Sequence, residues 1–362
     1  MNLARNSNII GPRIDPHAAD GTRPFLSVMI PVYNSAESMK ETLRSVLCQD
    51  LGPEDMEIEV VDNCSTDDDP ETVVRDIGKD RVKFHRQPRN VGAIENFNAC
   101  IRRARGEWVH ILHADDTVRP GIYSRARKAI EAHPHVGAVA CRHVYMDEDG
   151  TWLHLADAES RTPRVLDDAF VERQLVATRI HFAGLIVRRS SYEELGGFRA
   201  EFRHCTDWDM WNRLVLSKPI FYDPEILACN RLHPESGTSH MMRTGENVAD
   251  ERLCIRASTA HLPRGQAKRL CRDAMSAAAI RALRRMREHW TKGDADTAWR
   301  QLREAFRCRA AVGIVGLVYL LTSRGSPRRV AHLILRTPPA LTGLKNRVRN
   351  GIARAIGSTA QW

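Results

Sequence analysis

The sequence predicts an α/β protein in which a mostly parallel central sheet, flanked by helices, precedes a C-terminal helical appendage. Three observations carry that prediction. Short β-rich apolar runs, Val-Met-Ile-Pro-Val (28–32), Ile-Glu-Val-Val (58–61) and Trp-Val-His-Ile-Leu (108–112), alternate with helix-like stretches, the pattern of parallel strands joined by crossovers. The second and third runs end in carboxylates, at Asp62 and at His113-Ala114-Asp115-Asp116. Residues just beyond the carboxyl ends of such strands face the crevice where open α/β sheets bind ligands. From about residue 246 onward the periodicity is helical only.

The elements follow in order. After a polar leader over 1–23, a strand at 26–32 runs through Tyr33-Asn34-Ser35 into an amphipathic helix at about 36–48, with Ser35 as its expected N-cap. A strand at 57–62, a helix near 70–78 and a strand at 82–86 come next. Arg89-Asn90-Val91-Gly92 leads into a helix reaching about 104, which Gly106 closes. A strand at 107–113 ends at the acidic cluster, and Pro120-Gly121 opens a helix to about 132. Residues 136–144 read as a strand, and 150–180 as loops with a short helix. A strand at 183–188, Gly196-Gly197-Phe198, a helix at about 207–217 and a strand at 220–231 complete the body. The expected division is a flexible leader (1–23), a sheet-bearing α/β domain (24–245) and a basic helical region (246–362).

At 362 residues the chain can bury a large core, and 43% hydrophobic with 27% charged content is ordinary for a globular protein. Nine cysteines are scattered without a Cys-x-x-Cys pair, which fits reduced thiols in the cytosol better than disulfides or a zinc site. The leader lacks the apolar core of a signal peptide. A net charge of +9 is unevenly spread: residues 251–362 hold 23 Lys/Arg against 6 Asp/Glu, so the first 250 carry a balance of −8. No nucleic-acid recognition module accompanies the basic tail, and nucleic acid is not an expected partner.

The chemistry starts from the carboxylates. Neighbouring acids at a strand end repel unless a cation or donor groups hold them, which makes a metal–nucleotide site the leading idea. Oxygen ligands of this kind suit Mg²⁺ or Mn²⁺, and a hard dication neutralises the charge that grows on a departing nucleoside diphosphate.

At this point the sequence resembles the family 2 glycosyltransferases, with their GT-A fold, over roughly residues 25–240. Ser27-Val28-Met29-Ile30-Pro31-Val32-Tyr33-Asn34 is similar to the family's opening strand, whose end contacts the base and ribose; Pro31, Tyr33 and Asn34 inherit that role by resemblance. Val60-Val61-Asp62-Asn63-Cys64-Ser65 resembles the second strand end, with Cys64 in place of the usual Gly or Asn, and implies that Asp62 holds base or ribose. Asn90-Val91-Gly92 resembles the next nucleotide-side element, although a plain turn with a helix cap accounts for Asn90 and Gly92 equally well. His113-Ala114-Asp115-Asp116 resembles the acidic metal motif, with His at its first position; it implies Asp116 on the metal and Asp115 on the ribose or behind the metal ligands.

Gly196-Gly197-Phe198 followed by Thr206-Asp207-Trp208-Asp209 resembles the acceptor side, where the family's base corresponds to Asp207. Such a base deprotonates the acceptor hydroxyl as it attacks the anomeric carbon in line, with inversion. Asp209 is two residues along on another helix face, and Trp208 and Trp211 are core or a sugar platform, core being favoured. Arg231-Leu232-His233 resembles the closing motif: His233 as metal ligand or diphosphate contact, Arg231 on a phosphate.

The tail carries an apolar run over 310–321, well short of the roughly 20 residues needed to span a bilayer. Arg307, Arg309, Arg324, Arg328 and Arg329 flank it, and apolar stripes recur at Val330–Leu335 and Leu341–Ile356. Basic, striped segments of this kind read as helices lying on an anionic membrane surface, or as a packed appendage with a solvated basic face. The expectation is a metal-dependent, inverting transferase on the cytoplasmic face of the inner membrane. Its expected partners are a nucleotide-sugar donor, a UDP-sugar foremost, and a saccharide or polyprenyl-linked saccharide acceptor of cell-surface polysaccharide synthesis.

Two other classes compete. A nucleotidyltransferase making the nucleotide sugar would want a Gly-rich, basic loop after the first strand, which Tyr33-Asn34-Ser35-Ala36 lacks. A non-catalytic membrane-associated scaffold would not need Asp62, Asp116 and Asp207 intact. A dehydrogenase is disfavoured because no Gly-x-Gly-x-x-Gly follows the first strand.

Overall fold

Strand β1 (Leu26–Val32) is buried along its whole length, as its Val, Met and Ile content requires of a central strand. The computed structural model describes residues 10–16, 23–233 and 237–323. Helix α1 (Ala36–Leu47) leads to β2 (Met56–Asp62), which pairs in parallel with β1 from Leu26↔Met56 to Val32↔Asp62. Pro31 sits in this central strand without loss. The ladder with the next strand on the other side ends at Met29↔Ile111, so no partner is left for the missing N–H.

The chain continues through α2 (Pro70–Val73), β3 (Lys83–Arg86), α3 (Ala93–Arg103), β4 (Trp108–Ile111), β5 (Thr117–Val118), α4 (Ile122–Ala132) and β6 (Ala138–Met146). Strands β7 (Trp152–Leu155) and β8 (Arg164–Val165), helix α5 (Asp168–Val176), β9 (Leu185–Arg188), α6 (Arg189–Leu195), α7 (Thr206–Ser217) and β10 (Ile220–Arg231) finish the sheet-bearing part. Helices α8 (Gly237–Thr244), α9 (Glu246–Ala260), α10 (Arg264–Thr291), α11 (Ala295–Cys308) and α12 (Ala310–Ser323) follow.

The sheet runs β3-β2-β1-β4-β9-β6-β10-β5, with β7 added to β6 and β8 to β10. Its long ladders are parallel, and the antiparallel ones are two or three pairs each. Strand β9 is antiparallel to both β4 and β6, so β6 and β10 point the same way as β1. The carboxyl ends of β1, β2, β4, β6 and β10 therefore share one edge. Alternate residues of β1 feed two cores: Leu26, Val28 and Ile30 pack with α1 and α4, and Met29 packs with α3 and α7.

Several details depart from the sequence-based expectation. Ser35 makes no capping bond; the Asp68 carboxylate instead accepts from the Ala36 N–H at 2.5 Å. Strands β5 and β8 are too short for any period to register, and β7 is exposed at every residue, so it shows no alternation. Residues 10–16 are not loose. Ile14 is 2% exposed, Gly11 N–H donates to Leu195 O at 2.8 Å, and Gly197 N–H donates to Pro12 O at 2.7 Å. Gly196 makes that approach possible, since its φ is 74° and a Cβ there would meet Gly11 O at 2.4 Å.

Two compact units divide the chain: Met1–Ser236 with Arg256–Leu270, and Gly237–Ile255 with Cys271–Trp362. The first contains the sheet, and the 256–270 segment, which the sequence reading placed with the tail, contributes Leu262 and Leu270 to its core. In the second, α12 is half-buried rather than laid out on a free surface. Cβ atoms at Gly313 and Gly316 would lie 2.4 Å from Phe306 and Leu283, so these glycines let α12 pack closely on α11 and α10. No helix among the described residues is long and apolar enough to cross a membrane. The expected stripes at Val330–Leu335 and Leu341–Ile356, with Arg324, Arg328 and Arg329, lie outside the described residues.

Candidate active site

The end of β1 is stitched to the loop after β2. Asn34 takes a positive φ of 50°, and its side-chain oxygen accepts from Thr66 N–H at 2.8 Å. Its backbone N–H donates to Ser65 Oγ at 2.9 Å, while Tyr33 stays exposed beside it. Asp62 is fully buried: Ser65 Oγ donates to it at 2.6 Å and Arg86 pairs with it at 3.1 Å. The carboxylate expected to meet base or ribose also shapes the loop, its buried charge being paired where it lies. Asn63 reaches the third element, donating to Asn90 Oδ1 at 3.0 Å and accepting from Val91 N–H at 2.9 Å. Asn90 also accepts from Gly92 N–H at 2.9 Å, and Gly92, with φ of 85°, is the N-cap position of α3.

The loop after β4 is clamped from β10. Short antiparallel pairing of β5 with Ala228 and Cys229 brings Asp116 beside the end of β10. Asp116 Oδ1 accepts from Asn230 Nδ2 at 2.9 Å and from Arg231 N–H at 2.8 Å. Its other oxygen, Oδ2, is buried with no hydrogen-bond partner. Burial, and after it the neighbouring Asp115, push the Asp116 carboxyl up to about 8. Burial also works to raise Asp115, but the hydrogen bond and charge of His233 and the nearby His113 outweigh it, so Asp115 ends below its usual range. His233 Nε2 lies 3.3 Å from Asp115 Oδ2, and that bond, against partial burial, raises the imidazole's pKa.

Arg231, expected on a phosphate, is tied into the acidic loop. Its Nε donates to Asp115 O at 2.9 Å, Nη1 to Glu148 O at 2.6 Å, and Nη2 to the Glu41 carboxylate. A guanidinium engaged on three sides braces the acidic loop.

On the acceptor side, Asp207 stands in the first turn of α7, where the positive end of the helix favours a carboxylate. Its Oδ1 accepts from Trp208 N–H at 2.7 Å. Asp209 is buried between two arginines, Arg199 (Nε at 3.0 Å) and Arg213 (Nε at 3.1 Å). Arg213 also donates to Leu195 O at 2.7 Å and to Gly197 O at 2.8 Å, tying α7 to the Gly196-Gly197 turn. Trp208 and Trp211 are 3% and 1% exposed, so both are core residues.

Residues 27–196 match the family model for glycosyl transferase family 2. Over that segment, a little under half of the chain, the sequence is similar to this family. An uncharacterized protein of Mycobacterium tuberculosis is 29% identical over 243 residues, 64% of this chain and 75% of that protein. An uncharacterized glycosyltransferase of Rickettsia felis is 27% identical over 226 residues, 62% of this chain but 36% of its own length. The succinoglycan biosynthesis protein ExoO of Rhizobium meliloti is 34% identical over 175 residues, 47% of this chain and 48% of that protein. The chain therefore spans half or less of the latter two relatives. S. aureus TarS, residues 1–349 in complex with UDP-GlcNAc, superimposes with a TM-score of 0.56 at 17% identity, over 79% of this chain and 92% of that one. That likeness establishes the GT-A fold.

The residues present at this loop suit a divalent cation. One ligand atom each from His113, Asp115 and Asp116 lies within 4.8 Å of the others, a spacing compatible with metal–ligand bonds of about 2 Å. His113 Nε2, like Asp116 Oδ2, is buried without a hydrogen-bond partner. Burial, opposed by Asp115, lowers the His113 pKa and keeps the ring neutral, the form that ligates. The sequence points to Asp116 and His233 as ligands and gives the His at position 113 no role. The geometry groups His113 with the two acids and makes His233 the partner of Asp115. The clamp by Asn230 and the ring cluster of His143, Tyr145, His154 and His181 went unnoticed, because none sits within a recognisable motif.

Proposed function

We propose that this chain is an inverting, divalent-metal-dependent glycosyltransferase that moves a sugar from a nucleotide-sugar donor, a UDP-sugar foremost, to a saccharide or lipid-linked saccharide. The observation that carries the reading is the unpartnered, buried Asp116 Oδ2 within 4.8 Å of ligand atoms on His113 and Asp115. A carboxylate left this way is costly unless a cation takes it up. Bound there, Mg²⁺ or Mn²⁺ would neutralise the charge of the nucleoside diphosphate leaving group. The complex of TarS with UDP-GlcNAc supports the donor class, and the succinoglycan relative supports polysaccharide synthesis.

In this reading the exposed Tyr33 and the Asn34 loop meet the base and ribose, and Asp115, His233 and the braced loop 115–116 orient the diphosphate side. Asp207 accepts the proton of the acceptor hydroxyl. The hydroxyl oxygen then forms the new bond to the anomeric carbon, while the bond to the diphosphate oxygen breaks and its electron pair leaves with the nucleotide. Attack from the opposite face inverts the configuration. The basic tail would hold the enzyme against anionic lipid on the cytoplasmic face of the inner membrane.

Calorimetry of UDP and GDP with Mn²⁺ and with EDTA tests the core of the reading. Binding should require Mn²⁺ and should be lost in Asp116→Asn. Equal affinity in EDTA would sink the metal-dependent site.

A further inference from the structure

Four rings gather on one side of the β6–β7 hairpin. His143 and Tyr145 are two apart on β6 and so share a face, and His154 of β7 lies opposite Tyr145 in the antiparallel ladder. The Tyr145 and His154 rings stack, with centroids 4.4 Å apart and planes at 22°. His181 arrives from the segment before β9. Its ring is 4.5 Å from that of His143, and its Nε2 is 2.8 Å from the Tyr145 hydroxyl. His154 is exposed, so the ring face turned away from Tyr145 is open to solvent.

The cluster stands between the two halves of the site. Tyr145 is the cross-strand neighbour of Asn230, whose side chain holds Asp116. Burial first, then the carboxylates of Asp207 and Asp116, push the Tyr145 phenol up to about 12. Burial, followed by the charge of Arg179, lowers His181 to about 4. The pair is therefore uncharged across the physiological range. A phenol has one O–H and two lone pairs, so the single bond to His181 leaves it further hydrogen-bonding capacity in either tautomer.

We propose that Tyr145, His181 and His154 form a saccharide subsite beside Asp207 that sets which acceptor the transferase takes. The open His154 ring carries the C–H face of a sugar, and the Tyr145 hydroxyl, aligned by His181, bonds one ring hydroxyl. The chemistry selects a neutral sugar over a phosphate or other anion. Arg179, whose charge acts on both Tyr145 and His181, is already paired with Glu159 at 2.6 Å and Asp157 at 3.1 Å, and Arg142 Nε is bonded to Ala156 O at 2.8 Å. Ring faces combined with neutral donors and acceptors are what a pyranose needs. This inference rests on the transferase reading above for its placement on the acceptor side.

The test uses the full-length protein with Mn²⁺ and UDP, probed by saturation-transfer NMR with the methyl α-glycosides of glucose, galactose and mannose. At least one glycoside should give a signal on the wild type. Its affinity should fall about three- to tenfold in Tyr145→Phe, the effect of one lost hydrogen bond. It should fall comparably in His154→Ala, an exposed position where folding is not at risk. His181→Gln, which keeps a side-chain amide in reach of the phenol, should retain more affinity than His181→Leu, a difference that packing alone would not produce. UDP binding is measured on the same samples. Absence of any glycoside signal on the wild type, or signals unchanged in Tyr145→Phe and His154→Ala, overturns the subsite. Failure of the wild type to bind UDP or GDP would instead overturn the transferase reading, whatever the glycosides do.

Discussion

Replacing Asp116 with Asn separates what the acidic loop does for the fold from what it does for a cation. In the metal-free protein the carboxyl is pushed from 3.8 to about 8, chiefly by burial. A group whose folded pKa exceeds its unfolded one gives its full stabilisation below the unfolded pKa and loses it as pH rises toward the folded one. Between pH 5.5 and 8 that loss comes to about 3 kcal/mol, from 1.36 kcal/mol per unit over the interval. For a domain of this size it corresponds to a fall in Tm of about 6–10 °C. Asn keeps the oxygen that accepts from Asn230 at 2.9 Å and Arg231 at 2.8 Å, and it carries no charge to desolvate. Scanning fluorimetry in EDTA at pH 5.5, 7 and 8 should show the wild type losing Tm across the range. Asp116→Asn should stay nearly level and melt above the wild type at pH 8. Adding Mn²⁺ should raise only the wild type. If Asp116→Asn melts below the wild type at pH 8 in EDTA, the carboxyl is not the destabilised acid described here, and the argument for a cation at this position fails with it.

Three further outcomes are expected. Asp207→Asn should lower turnover by about 10²- to 10⁴-fold while UDP affinity holds, as for a general base; retention of more than about a tenth of the rate rules Asp207 out. Asp209→Ala removes the carboxylate partner of the fully buried Arg213 guanidinium and should cost about 3–5 kcal/mol in urea unfolding; a change below about 1 kcal/mol would contradict the network. A chain ending at Ser323 keeps α12 on its packing partners but removes eight Lys/Arg, and should lose sedimentation with anionic vesicles; undiminished binding would dismiss the tail as a membrane contact.

The strands and the acidic clusters were legible because each has a local signature. A buried parallel strand is a continuous apolar run, and β1, β2 and β4 announce themselves that way. Roles that depend on pairing across the fold were not legible. Asp62 and Asp116 look alike in the sequence, each closing a strand. Arg86, Ser65 and the loop geometry consume the first, while Asn230 and the Arg231 backbone satisfy only one oxygen of the second. Arg231 was read as an open cation because nothing near it in sequence shows that three oxygen-bearing partners converge on it. The ring cluster joins residues 143, 145, 154 and 181 through a hairpin whose exposed second strand carries no alternation at all.

Two buried aspartates in this chain make the distinction between scaffold and site quantitative. Asp209 lies between Arg199, which also pairs with Glu201 at 3.2 Å, and Arg213, whose other donors go to the Leu195 and Gly197 carbonyls, so its charge is neutralised where it sits. Asp116 is equally buried, yet it has neutral donors on one oxygen, none on the other, and a second acid beside it. Packing alone does not favour that arrangement: a leucine or an asparagine there would relieve the desolvation. Asp115, by contrast, has His233 as a counter-charge and stays ionised. The loop therefore presents one settled carboxylate, one unsettled carboxylate and one neutral imidazole within 4.8 Å. A fold that satisfies Asp209 so completely departs from the same rule at Asp116, and such departures mark the places where a ligand completes the structure.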